Sequence, residues 1–211
     1  MASCCLARVV CSDVKHNFLL HYISAAAVVM LTPAFFSVYE LNSFQAAQPL
    51  EVIIALIGVI MITPVFMPEQ NENIRDVVRS KKTPYLLVCL LRLVVSAVIM
   101  TGLIALFVIY MKHSHSDVSF RHFSGTVASA MALGAIGFFA AGVSNNIIIG
   151  YMASLFYYIV NFSLKDKLGV FYIFSMMNGS FEEKKWLFGL AFTLITAAFG
   201  FKADIRRRLI G

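Results

Sequence analysis

The sequence predicts an all-α integral membrane protein, a single domain of six transmembrane helices. Three observations carry that prediction. Apolar residues make up 60% of the 211 residues and charged ones only 13%, with a mean hydropathy of +0.82, outside the range of soluble domains. Six apolar stretches, 17–39, 50–67, 84–111, 123–144, 145–163 and 186–203, come near the roughly 20 residues that cross about 30 Å of hydrocarbon. A charged island, PEQNENIRDVVRSKK from Pro68 to Lys82, separates two of these stretches. Helices are required because backbone polar groups in lipid must find partners within their own segment.

The N-terminal stretch 5–16 is mildly amphipathic and reads as an interfacial helix that leads into the first span. The first span is too long for a signal peptide and lacks a small-x-small cleavage pattern, so the N-terminus is expected to be retained. Pro33 and Pro64 each follow a Thr, in MLTPAFF and MITPVFM. The two helices run in opposite directions, which argues against a true repeat, but each proline can kink its helix. The third span carries Arg92 two turns in. An intramembrane charge is a functional candidate by default, with snorkelling or an interhelical contact as the plainer reading.

The fourth span is rich in small residues, among them Gly125, Ala128, Gly134, Gly137 and Gly142, which let helix backbones approach closely. It is expected at the centre of the bundle. Ser144, Asn145 and Asn146 form a tight turn into the fifth span. That span presents Tyr151, Ser154, Tyr158 and Asn161 at helical spacing. These residues line a transport pathway or else mark a helix–lipid interface. The following stretch 168–178 has an apolar core, Leu168 to Met177, of about 15 Å as a helix, too short to cross, and reads as re-entrant or interfacial.

Charge sets the expected orientation. Arg8, Lys15, Arg75, Arg79, Lys81, Lys82, Lys202, Arg206, Arg207 and Arg208 fall on one face. Lys112, Arg121, Lys165, Lys167, Lys184 and Lys185 fall on the other. Ten against six puts both termini in the cytoplasm of a cell-membrane protein. The formal charge of +6 is accounted for by anionic headgroups and calls for no nucleic acid. Cys4, Cys5, Cys11 and Cys89 suggest no disulfide framework, although a juxtamembrane Cys pair can carry a lipid.

The island has helical logic. Ile74, Val77 and Val78 follow i, i+3, i+4 spacing, and Arg75, Asp76 and Arg79 take the other face. Acids lie early and bases late, as the helix dipole favours. A docking helix and a solvated loop both satisfy that pattern. His113, His115, Asp117 and His122 offer donors for Zn²⁺ on an extended loop, or are simply a hydrated connector. No HExxH, nucleophile elbow or GxxxxGK[ST] phosphate loop occurs, so no enzymatic role is expected for this chain. None of the eleven acids is expected centrally in a span, which argues against ion coupling.

The order of elements resembles the type-2 ABC exporter permeases. The resemblance rests on the amphipathic lead-in, on Glu69 followed by the basic stretch Ile74 to Lys82, and on Leu86 to Arg92 opening the third span. It also rests on the small-residue fourth span, the Ser144–Asn146 turn and the re-entrant segment before the last span. It implies a transmembrane permease subunit of an ATP-driven exporter, paired with a second copy or paralogue. A separate ATP-binding cassette ATPase would carry ATP and Mg²⁺, with no cofactor on this chain. Glu69, Ile74, Arg75, Val77, Val78 and Arg79 would form the coupling helix (69–82) that docks on that ATPase, and Arg92 would join the pathway-lining set. The substrate would be a peptide, drug or other amphipathic molecule. The alternatives are an ion-coupled transporter or channel, and a membrane-embedded enzyme or accessory protein.

Overall fold

The computed structural model describes residues 17–70 and 85–210. The expected interfacial helix 5–16 and the island residues Ile74, Arg75, Val77, Val78 and Arg79 lie outside the described residues, as does the side chain of Glu69. Among the described residues helix predominates and no strand occurs. Helix α1 is Leu19–Phe35, α2 is Ser43–Val52, α3 is Ile57–Ile62, α4 is Tyr85–His113 and α5 is Phe120–Ser144. Helix α6 is Ile147–Leu164 and α7 is Glu183–Ile210. Short 3₁₀ stretches at Ile54–Leu56 and Thr63–Gln70 flank α3, and two more, Lys165–Phe171 and Ser175–Asn178, link α6 to α7.

Five helical runs are long and apolar enough to cross a membrane: Ser43–Pro68, Leu86–His113, Phe120–Ser144, Ile147–Leu164 and Glu183–Asp204. The protein is therefore a membrane protein by the length and composition of its helices. Helix α1 is apolar but has only 17 residues, about 25 Å of helix. It stops at Phe35, short of the expected 39, where Phe36 turns extended while its amide still donates to the Thr32 carbonyl. The surface of the bundle is oily, with Leu20, Met30, Val98, Met152, Phe156, Trp186 and Phe192 all largely exposed. Such a surface suits lipid and not water.

Two further boundaries differ from expectation. The second span begins at Ser43 instead of 50. The stretch NSFQAAQ, polar in composition, forms the helix start, where the Asn42 amide donates to Gln45 Oε1 at 3.3 Å and Ala46 and Ala47 are buried. The last span begins at Glu183 instead of 186. Lys184 thereby joins a helix of the described bundle, and Glu51 is set back from the end of its helical run.

Helix α5 occupies the centre, as its small residues require. A Cβ added to Gly58 would lie 1.9 Å from the Ala130 carbonyl oxygen, and one added to Gly134 would lie 2.6 Å from the Gly58 oxygen. The second span therefore touches α5 backbone to backbone. Helix α6 makes the same kind of approach, with Gly150 against the Gly137 carbonyl. Around this seam a large cluster includes Leu50, Ile54, Met61, Phe66, Met100 and Phe138, with Phe66 stacked on Phe138 at 4.4 Å.

The Ser144–Asn146 turn is as tight as expected. Asn145 adopts the left-handed conformation at φ 52°, which Asn tolerates, and Asn146 Oδ1 caps α6 by accepting the Ile148 amide at 2.9 Å. Lys202 of α7 closes that end by donating to Asn145 Oδ1 at 3.1 Å. At the opposite end the two loops are knitted together. Ser116 Oγ donates to the Val38 carbonyl at 2.8 Å, and the Asp117 amide donates to that of Leu41 at 2.9 Å.

Replacing Gly58 with Val should cost about 1–3 kcal/mol or more through overpacking. Gly102→Ala, at a site where a Cβ meets nothing within 4 Å, should leave thermal unfolding in detergent unchanged. Equal melting temperatures for both variants would contradict the seam.

Candidate functional site

The polar groups converge where the second span, α5, α7 and the segment between α6 and α7 meet. The register of each helix explains the convergence. On the second span Ala47, Leu50, Glu51, Ile54 and Ala55 are all buried, an inward stripe at helical spacing. On α7 the inward stripe is Lys184, Leu187, Ala191 and Ala198. Glu51 is fully buried and Lys184 is 5% exposed.

The pair is saturated. Lys184 Nζ forms an ion pair with Glu51 Oε1 and donates to the Ile173 carbonyl and to Ser129 Oγ at 2.8 Å. An ammonium has three protons, and three acceptors surround it. The Glu51 carboxylate also accepts the backbone amides of Met176 at 3.1 Å and Met177 at 3.2 Å. These are the first free amides of the 3₁₀ turn Ser175–Asn178, so a carboxylate at that point is favourable. Removing either charge would strand the other in a medium of low dielectric. At the surface nearby, Glu182 and Lys185 pair at 2.7 Å with both side chains exposed. The hydrogen bond to Lys185 holds the Glu182 carboxyl below the usual carboxylate range, yet water screens that pair and it orders little.

Glu51, at the edge of the expected span 50–67, lies nine residues into the helical run Ser43–Pro68, so an acid sits deeper in a span than the expectation of none centrally placed allowed for. Lys184, assigned to the outer loops by the charge count, is likewise inside the bundle. A signal for both was present. The buried stripe of α7 extended back three residues from Leu187 reaches Lys184, and the stripe Ala47–Leu50–Ile54 passes over Glu51. The run EEKK hid the signal, because only one of its four charges faces inward.

The sequence-predicted pathway residues of α6 are engaged in contacts with other elements. Ser154 is fully buried and donates to the Leu133 carbonyl of α5 at 2.8 Å. Tyr158 donates to the Val52 carbonyl at 2.8 Å, satisfying an acceptor freed where the second span breaks between α2 and α3. Asn161, also fully buried, accepts the Ile173 amide at 2.9 Å. Tyr151 is half-buried against Val59, Leu133 and their neighbours. Arg92 is buried at 5% exposure, not extended along the surface.

The four outer residues weighed as metal donors do not assemble. His113, His115 and Asp117 are exposed, and no group of three His, Cys, Asp or Glu with metal-holding geometry occurs among the described residues. His122 is buried and uses both ring nitrogens. Nδ1 accepts the Ser119 amide at 3.2 Å, which leaves the proton on Nε2 to donate to the Ser43 carbonyl at 3.0 Å. It pins the start of α5 to the start of α2. No protein-family model, curated protein or solved structure matches this chain.

Lys184→Met should lower stability by about 3–5 kcal/mol, the cost of an unpaired buried charge. Ser129→Ala, which removes one acceptor and no charge, should cost about 1 kcal/mol. Denaturant unfolding of the detergent-solubilised chain checks the ranking. A Lys184→Met loss no larger than that of Ser129→Ala would contradict it.

Proposed function

We propose that this chain is the transmembrane permease subunit of an ATP-driven exporter, of the type-2 ABC exporter kind. It works as a dimer with a second copy or a paralogue, and a separate ATP-binding cassette ATPase binds ATP and Mg²⁺. The observation that carries the reading is the segment between α6 and α7, folded back as 3₁₀ turns with Ile173, Phe174 and Met176 buried. That arrangement agrees with the re-entrant element of the resemblance. The central small-residue helix α5 and the tight Ser144–Asn146 turn add to it. On this reading both termini and the island face the cytoplasm, and Glu69, Ile74, Arg75, Val77, Val78 and Arg79 dock on the ATPase. The cargo is an amphipathic molecule such as a peptide or drug.

A second reading, an ion-coupled transporter, is favoured by the embedded Glu51, since coupling needs membrane-embedded acids. Its pairing weighs against that reading. The carboxylate is neutralised by Lys184 and bonded to two amides, an arrangement that suits a fixed cross-link better than an exchangeable ion site.

Affinity purification from the native membrane, with partners identified by mass spectrometry, should recover a Walker-motif ATPase at near-equal stoichiometry. Replacing Ile74, Val77 and Val78 with Asp should abolish that association and transport while insertion is preserved. Undiminished association by the triple variant would refute the docking role of the island. Recovery of the chain with no ATPase would refute the exporter reading.

A further inference from the structure

The segment between α6 and α7 is held differently from the helices around it. In a helix each amide bonds to a carbonyl of the same helix, so protection is lost by fraying or with the whole fold. Here three central amides bond to side chains of other elements. Ile173 donates to Asn161 of α6, and Met176 and Met177 donate to Glu51 of the second span. Those two side chains take up the three amides, while Lys184 and Ser129 donate to the Ile173 carbonyl and Tyr157 donates to that of Phe171.

Both ends of the segment are glycines in the left-handed region, Gly169 at φ 55° and Gly179 at φ 77°. Glycine passes between these and other conformations without a Cβ penalty. Gly169 stands in open space, with nothing within 4 Å of where a Cβ would be. Between the glycines, Ile173 and Phe174 pack on Ala132, Leu133 and Leu187. Ser175 Oγ is buried with no hydrogen-bond partner, a group that would gain a partner on reaching water.

We propose that residues 170–178 form a latched flap, which undocks as a unit about Gly169 and Gly179 while the helices stay packed. Glu51 and Lys184 are its latch. Undocking admits water to Glu51, Lys184, Ser129 and Ser175, four polar side chains that are sealed in the docked state. Redocking must dehydrate the carboxylate and the ammonium together, and neither is tolerated alone in the interior. The pair therefore enforces two discrete states, docked and undocked, in place of graded loosening.

The test is amide hydrogen exchange by mass spectrometry on the full chain in lipid nanodiscs, with no partner present. In the wild-type chain, peptides covering 170–180 should exchange through local opening, well ahead of those from the centre of α5. Glu51→Leu/Lys184→Met removes both charges and the amide acceptor. It should raise flap exchange by about tenfold or more while α5 stays protected. Glu51→Gln/Lys184→Met keeps a carbonyl that can accept the amides and should fall between. Wild-type flap amides as slow as those of α5 would overturn the proposal, as would a Leu/Met variant that loosens α5 as much as the flap. The wild-type comparison stands even if a variant does not fold.

Discussion

One buried ion pair organises this bundle. Glu51 and Lys184 lie 133 residues apart in sequence, and their contact, with the hydrogen bonds around it, joins two spanning helices, Ser129 of a third and the folded-back segment. The pair earns its place through completeness of solvation. Two bare charges in such a site would cost several kcal/mol each, about what their attraction returns only when every remaining lone pair and proton is also bonded. Here the ammonium has three acceptors and the carboxylate has two amide donors besides. The constraint is geometric as well as energetic, since the donors and acceptors come from four elements and only one docking satisfies them all.

The rest of the architecture makes that docking possible. Helix α5 brings Ser129 to the pair because its glycines let the second span and α6 approach backbone to backbone. The second span breaks between α2 and α3, and Tyr158 satisfies the carbonyl of Val52 beside the break, so the irregular backbone is tolerated inside the bundle. His122 fixes the start of the second span against the start of α5, eight residues before Glu51. Ser154 and Asn161 hold α6 to α5 and to the folded-back segment.

Much of this was legible in the sequence, and the rest was hidden for physical reasons. Apolar stretches and the small-residue helix are composition signals, and they survive without tertiary information. The Ser144–Asn146 turn and the short stretch 168–178 follow from turn chemistry and from length. The starts of the second and last spans differ from expectation because polar residues, in NSFQAAQ and EEKK, can occupy the open face of a helix end, as the exposed Asn42, Gln45, Gln48, Glu182 and Lys185 do. What they pair with is a tertiary fact, and a one-dimensional pattern gives at most the inward stripe on which Glu51 or Lys184 lies. The polar face of α6 was visible as a stripe. Its partners, the carbonyls of Leu133 and Val52 and the Ile173 amide, were not, because backbone groups leave no trace in side-chain periodicity.

The exporter reading and the latched flap depend on the same scaffold, in which the segment between α6 and α7 is tied to the second span. That tie is tested most directly by a double-mutant cycle in the detergent-solubilised chain, measuring unfolding free energies of Glu51→Gln, Lys184→Met and the double variant. The account predicts that the double variant loses much less than the two single losses added together, with a coupling of about 1.5–3 kcal/mol. Losses that add to within about 0.5 kcal/mol would mean that the two side chains act independently, and the ion pair would not be the contact on which the bundle depends.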